Sequence, residues 1–184
     1  MDIKQFTDNL KEDLHRYLLG EGRIDEKFPE CPDLEDLWTS LEEAYLPDGA
    51  KEFQDYPIVS LGWIMFVGMA FAVYWDEDWE KYSKDTGAQL YIKIKEAKGY
   101  DELDDYVLYD VMHCDKEEAE KVSSLVAECA SRTLSSLHRS HFEAGTAEAV
   151  RAFQAALHQL YLFGVAMEIN ALGYHYVPYN PNQN

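Results

Sequence analysis

The chain has little with which to bind itself covalently or to grip a cofactor. Its 184 residues include three cysteines, Cys31, Cys114 and Cys129, odd in number and widely spaced. Neither a disulfide framework nor a CxxC zinc site can be read from them, and reduced thiols in a cytoplasm are the expectation. There is no glycine-rich phosphate loop, no GxSxG elbow, no HExxH pair and no dinucleotide fingerprint. The opening "MDIKQFTDNLKEDL" is acidic and amphipathic, without the basic start and apolar core of a signal peptide. Positive charge is scarce as well. Sixteen lysines and arginines face 35 aspartates and glutamates, a net charge of −19. Such a surface repels phosphate, so a nucleic-acid partner is not expected, whereas a basic protein would be drawn to it.

Long apolar runs are absent with one exception. Ile58 to Trp75 is eighteen residues without a formal charge, and it runs into Asp76, Glu77 and Asp78. A membrane span needs about 20 apolar residues and basic flanks. Here Ser60, Gly62 and Gly68 dilute the run and acids flank it, so no membrane association is expected. A helix that is apolar all round sits in the middle of a bundle, and the rest of the chain supplies amphipathic helices to cover it.

Helical periodicity dominates the remainder. Ile3, Phe6, Leu10, Leu14 and Tyr17 mark a first helix closed by Gly20 and Gly22. Asp33 reads as the N-cap of a second helix that "LPDGA" at 46–50 ends. Thr86 or Gly87 starts a shorter helix closed by Gly99, and Asp101 caps another to about His113. "DKEE" from Asp115 has capping-box spacing and opens a long helix. Thr146 caps the last one, which runs to about Leu172. The fold class read from this is all-α: one domain over 1–184, a bundle of six or seven helices around a buried apolar central helix. Residues 1–50 read as a peripheral helical hairpin and 174–184 as an extended tail. "MFVGMAFA" at 65–72 and "YLFGVAME" at 161–168 each carry a glycine inside an apolar helix, so these two helices are expected to cross near Gly68 and Gly164.

Few residues are candidates for chemistry. Glu168 is the only formal charge in the last 33 residues and lies on an apolar stripe, so it must be paired, hydrogen-bonded or protonated. His138 and His141 stand at i, i+3, a spacing that could share a metal with His158 or Glu168. The paired Glu-x-x-His signature of a diiron bundle is absent, though, and no metal site or cofactor is assigned. The catalytic candidates are Glu168 and His158. Trp75, Asp76, Asp78, Trp79 and Tyr82 form an aromatic and acidic patch that could anchor a cationic partner. "GYDELDDYVLYD" at 99–110 is dense in carboxylates without calcium-loop spacing.

"RTLSSLH", Arg132 to His138, and "RAFQAALH", Arg151 to His158, resemble the arginine-to-histidine motif of HEPN-type ribonucleases, which are also helical bundles. The resemblance covers those few residues, and Thr133 and Ala152 stand where the family usually has Asn, Asp or His. It implies a metal-independent ribonuclease or a degenerate relative, against which the acidic surface speaks. The role that composition and motifs favour is a non-catalytic cytoplasmic interaction protein, a regulator, adaptor or immunity-type inhibitor of a basic partner. The alternative is a bundle enzyme using an interior His/Glu cluster. A homodimer burying the Trp75 and Trp79 face is compatible with either.

Overall fold

The structure, a computed structural model, describes residues 1–175 and 182; most of the expected tail lies outside them. Helix α1, Ile3–Gly20, is capped by Asp2, whose carboxylate accepts from Gln5 N–H at 2.7 Å. It buries Phe6, Leu10, Leu14 and Leu18, one residue per turn. A loop leads to α2, Pro32–Glu35, and then to α3, Trp38–Asp55. Asp33 is therefore not the cap of a continuous second helix. It sits in the first turn of α2, after Cys31 in the cap position, and a turn at Asp36 and Leu37 separates α2 from α3.

Nor does "LPDGA" end α3, which continues through Pro47 to Asp55. Contacts from elsewhere override these local stop signals. The Tyr45 ring lies so close to Gly49 that an added Cβ would stand 3.0 Å from its Cδ1. Gly49 is thus there for the ring rather than as a terminator. The Tyr45 hydroxyl donates to the Ser60 carbonyl, and Ser60 Oγ donates to the Gly49 carbonyl at 2.6 Å. These buried bonds tie the far half of α3 to the start of the next helix.

Helix α4, Pro57–Tyr82, opens on proline, whose fixed φ suits a first turn. From Ser60 to Val73 only Trp63 is not buried. By length and composition it could cross a membrane, but 72% of its apolar window is covered by the rest of the protein. Its chief cover is α8, Ala147–Ala171, capped by Thr146. The two helices cross where the glycines were expected. A Cβ on Gly68 would stand 2.5 Å from the Tyr161 carbonyl oxygen, and one on Gly164 would stand 2.9 Å from the Met65 carbonyl carbon. No larger residue fits either place.

Helix α5, Gly87–Lys98, starts on a capping box formed by Thr86 and Gln89. The next stretch is not the single helix expected from Asp101 to His113. It is a 3₁₀ turn, Tyr100–Glu102, a single turn α6, Leu103–Asp105, and a π-helical segment, Tyr106–Val111. The last closes with Met112 N–H donating to Val107 O at 2.8 Å, and His113 then adopts φ 56°. Helix α7, Lys116–Arg139, begins at Asp115, which caps Glu118 N–H at 2.8 Å.

The arrangement is an all-α bundle around the apolar pair α4 and α8, with six helices longer than ten residues among the described residues. Helix α1 packs on α8 and α7, whereas α3 packs on α5 and α4. Residues 1–50 thus do not close on themselves as a hairpin. The buried apolar residues form one core that includes side chains from all eight α-helices.

Candidate functional site

The C-terminal ends of α4 and α8 meet the loop between α1 and α2. A cleft of about 360 Å³ opens there. Phe28, Pro29, Pro32, Trp75 and Ile169 give it apolar walls, and Asp25, Glu30, Asp33, Lys27 and His175 add charged and titratable groups to its lining. The Trp75 ring meets the Tyr174 ring edge-on at 5.4 Å and 67°, and its Nε1–H points to Asp33 Oδ2 at 3.4 Å. Beside it, Asp76 accepts the Tyr174 hydroxyl at 2.6 Å. Asp25 accepts from Asn170 Nδ2 at 3.0 Å and lies 3.2 Å from His175 Nδ1. The helix ends are thereby stitched to the loop through aspartates.

The expected aromatic and acidic patch is only partly assembled here. Asp78 has φ −162° and ψ 77°, which breaks α4 so that Trp75, Trp79 and Tyr82 do not share one face. There the Asp78 carboxylate caps Lys81 N–H at 3.1 Å. Trp75 lines the cleft and Asp76 holds its rim. Trp79 packs against the core, and Tyr82 stacks on Tyr74 at 4.4 Å and 16°. Asp25, Phe28, Asn170, Tyr174 and His175 carried no motif in sequence and Asp33 read only as a helix cap, because the α1–α2 segment and the end of α8 meet only when folded.

Glu168 is buried at 7% exposure. Burial, with the charges of Glu118 and Asp76, pushes its carboxyl up to about 7. The histidines lie elsewhere. His158 Nε2 is 2.8 Å from Glu35 Oε1, and its ring stacks on Trp38 at 4.7 Å. His138 lines a second, apolar groove of about 530 Å³ with Phe53, Phe142, Val150 and Phe153. His141 is exposed at φ 56° just past the end of α7. Glu118, Glu168's neighbour, precedes His138 by twenty residues of one helix, roughly 30 Å. His138, His141, His158 and Glu168 therefore do not form the interior cluster considered from sequence. No three His, Cys, Asp or Glu side chains among the described residues are placed to hold a metal ion.

The arginine–histidine spacings do not build a ribonuclease centre either. Arg132 is bound to Asp13 at 3.2 Å and Glu128 at 2.8 Å and lies over the Tyr17 ring, while His158 is held by Glu35 and Trp38. Comparison with protein-family models, with curated proteins and with solved structures gives no match to this chain.

Chemically, the cleft offers an indole, carboxylates, an imidazole and a thiol. Cys31 is its one thiol, and burial with the adjacent Asp33 charge pushes it above its ordinary value, toward the unreactive protonated form. An indole beside carboxylates is suited to a cation, which gains charge-assisted hydrogen bonds at its polar end and ring contact along its stem.

Proposed function

We propose that this protein is a non-catalytic interaction module, a regulator or adaptor of the immunity type, that takes a basic partner protein at the cleft between the α1–α2 loop and the ends of α4 and α8. The carrying observation is the convergence of Trp75 and Tyr174 with Asp25, Asp33 and Asp76 at one concave place on a chain of charge −19. The net charge steers a basic surface toward the protein, and the cleft receives one of its lysine or arginine side chains. A cytoplasmic setting agrees with the three free cysteines Cys31, Cys114 and Cys129.

The test has two parts. Native mass spectrometry of untagged protein from its own cells should show a protein adduct; a bound metal or small molecule alone would turn the reading toward an enzyme. A short arginine-rich peptide added to ¹⁵N-labelled protein should shift the Trp75 indole N–H. Trp75→Ala combined with Asp33→Asn should weaken that binding about tenfold, roughly 1.4 kcal/mol. Shifts spread evenly over the acidic surface, with no loss in the double variant, would show unspecific charge attraction instead.

A further inference from the structure

The groove that His138 lines differs in kind from the cleft. Helix α3 gives it Leu46, Ala50 and Phe53, the end of α7 gives His138, and the start of α8 gives Val150 and Phe153. The Phe53 and Phe153 rings meet at 4.9 Å and join the two longer walls. Asp, Glu, Lys and Arg make up 28% of the chain, yet none of them lines this groove. Val150 is 53% exposed, so apolar surface there stands open to water. A volume of about 530 Å³, apolar and aromatic walls and a few polar groups are the features of sites for small organic molecules.

The polar groups are Gln54 and His138, and neither side chain has a hydrogen bond or ion pair within the described residues. Both can donate an N–H. Lys51, Arg139 and Arg151 stand next in sequence to the lining residues Ala50, His138 and Val150. None of the three has a carboxylate partner, on a chain with 19 acids in excess. The acids of the same stretches, 46–54 and 137–153, are Asp48, Glu52, Glu143 and Glu148, and Asp48 is already held by Lys95 at 3.0 Å and Tyr91 at 2.6 Å. Charge around the groove is therefore close to balance, and an anion is not repelled there as it is by the chain as a whole. Length decides between a peptide and a smaller body. From Leu46 to Gln54 the α3 wall runs roughly 12 Å, while an amphipathic helix long enough to hold its shape needs at least about 18 Å. An extended alkyl chain of medium length suits the shorter wall.

We propose that this groove is a binding site for a small anionic amphiphile, a medium-chain carboxylate whose alkyl body lies between α3 and α8 and whose head accepts an N–H from His138. The site is sixteen residues of α8 away from the cleft, from Phe153 to Ile169, roughly 24 Å. It stands apart from the partner reading, and either can fail alone.

The experiment titrates sodium octanoate into the full chain carrying ¹³C-labelled methyl groups, at fixed pH and ionic strength, with 1-octanol as the uncharged counterpart. The methyl signals of Leu46 and Val150 should move saturably while the Trp75 indole N–H stays still. Octanoate should bind about tenfold more tightly than octanol, the worth of one charge-assisted hydrogen bond. His138→Leu should abolish that preference and keep octanol binding. Ala50→Trp, a change at an exposed position, should block both ligands and leave the amide spectrum of the core in place. Groove methyls that do not respond, or shifts spread over the whole surface, would overturn the proposal. Equal affinity for octanoate and octanol would overturn it by removing the head group's role. Capture of a synthetic acidic amphipathic helix without any response to octanoate would overturn it in favour of a protein partner.

Discussion

At the scale of single residues, Glu168 ties folding to pH. Its carboxyl titrates at 4.5 in ordinary surroundings and at about 7 in the fold. Below 4.5 both the folded and the unfolded chain hold the proton. Between 4.5 and about 7 only the folded chain does, so stability falls as pH rises through that window and stays lower above it. A shift of that size corresponds to at most about 3 kcal/mol, for a side chain only 7% exposed. Other acids titrate as well, so the informative quantity is a difference. Urea unfolding of wild type and Glu168→Gln at pH 5 and pH 8 should show the variant gaining on wild type by about 1–3 kcal/mol between the two values. A gap that does not change with pH would mean that Glu168 ionises freely in the fold. Cys129 illustrates the same burial effect without a linkage at neutral pH. It is fully buried and its thiol is pushed up to about 12, so it stays protonated.

At the scale of elements, the α4–α8 crossing carries the fold. Gly164→Ala places a methyl group against the Met65 backbone, which cannot rotate aside as a side chain would. The helix gains about 0.5–1 kcal/mol of propensity from the change, while overpacking costs typically 1–3 kcal/mol. The net expectation is a loss of about 1–2 kcal/mol, a fall of roughly 2–8 °C in the thermal midpoint of a chain this long. An unchanged or raised midpoint in a calorimetric scan would mean that the helices can part at little cost. This crossing was legible in sequence because each glycine sits inside its own apolar run. The six long helices were legible for a similar reason: caps such as Asp115 and Thr146 and their apolar stripes are local signals. Features imposed from a distance were not. Helix α3 passes Pro47 because Tyr45 and Gly49 bond to Ser60 across eleven to fifteen residues. The break of α4 at Asp78 could have fallen at either of two neighbouring acids, since Asp76 and Asp78 cap equally well. No local pattern marks the π-helical turn at Tyr106–Val111. The cleft was half legible: Trp75 and Asp76 were in view, while Asp25, Asp33, Asn170 and His175 join them only through the tertiary fold.

At the scale of the whole molecule, the acidity works against compactness. If every one of the 16 bases were paired, 19 of the 35 acids would remain unmatched. Spread over 10055 Å² of surface, those 19 net charges stand roughly 23 Å apart. That separation lies inside the Debye length of about 30 Å at 0.01 M salt and far outside the one of about 8 Å at 0.15 M. At low salt each charge therefore feels its neighbours, and at physiological salt it hardly does. The exposed ion pairs work in the opposite direction. Lys4 with Asp8, Arg16 with Glu12 and Lys121 with Glu117 are largely solvated, so each contributes little and its loss to salt costs little. Net repulsion should outweigh them. Raising sodium chloride from 0.01 to 0.15 M should lift the thermal midpoint of the free protein by a few degrees, equivalent to about 1–2 kcal/mol. A falling midpoint would mean that paired charges, not the surplus, govern stability. The same change in salt should weaken capture of an arginine-rich peptide, because long-range attraction to a cation is screened at the same distances. One ionic-strength series read by calorimetry and by peptide binding thus tests both sides of one charge distribution: the acids that strain the free fold are the acids proposed to draw in a basic partner.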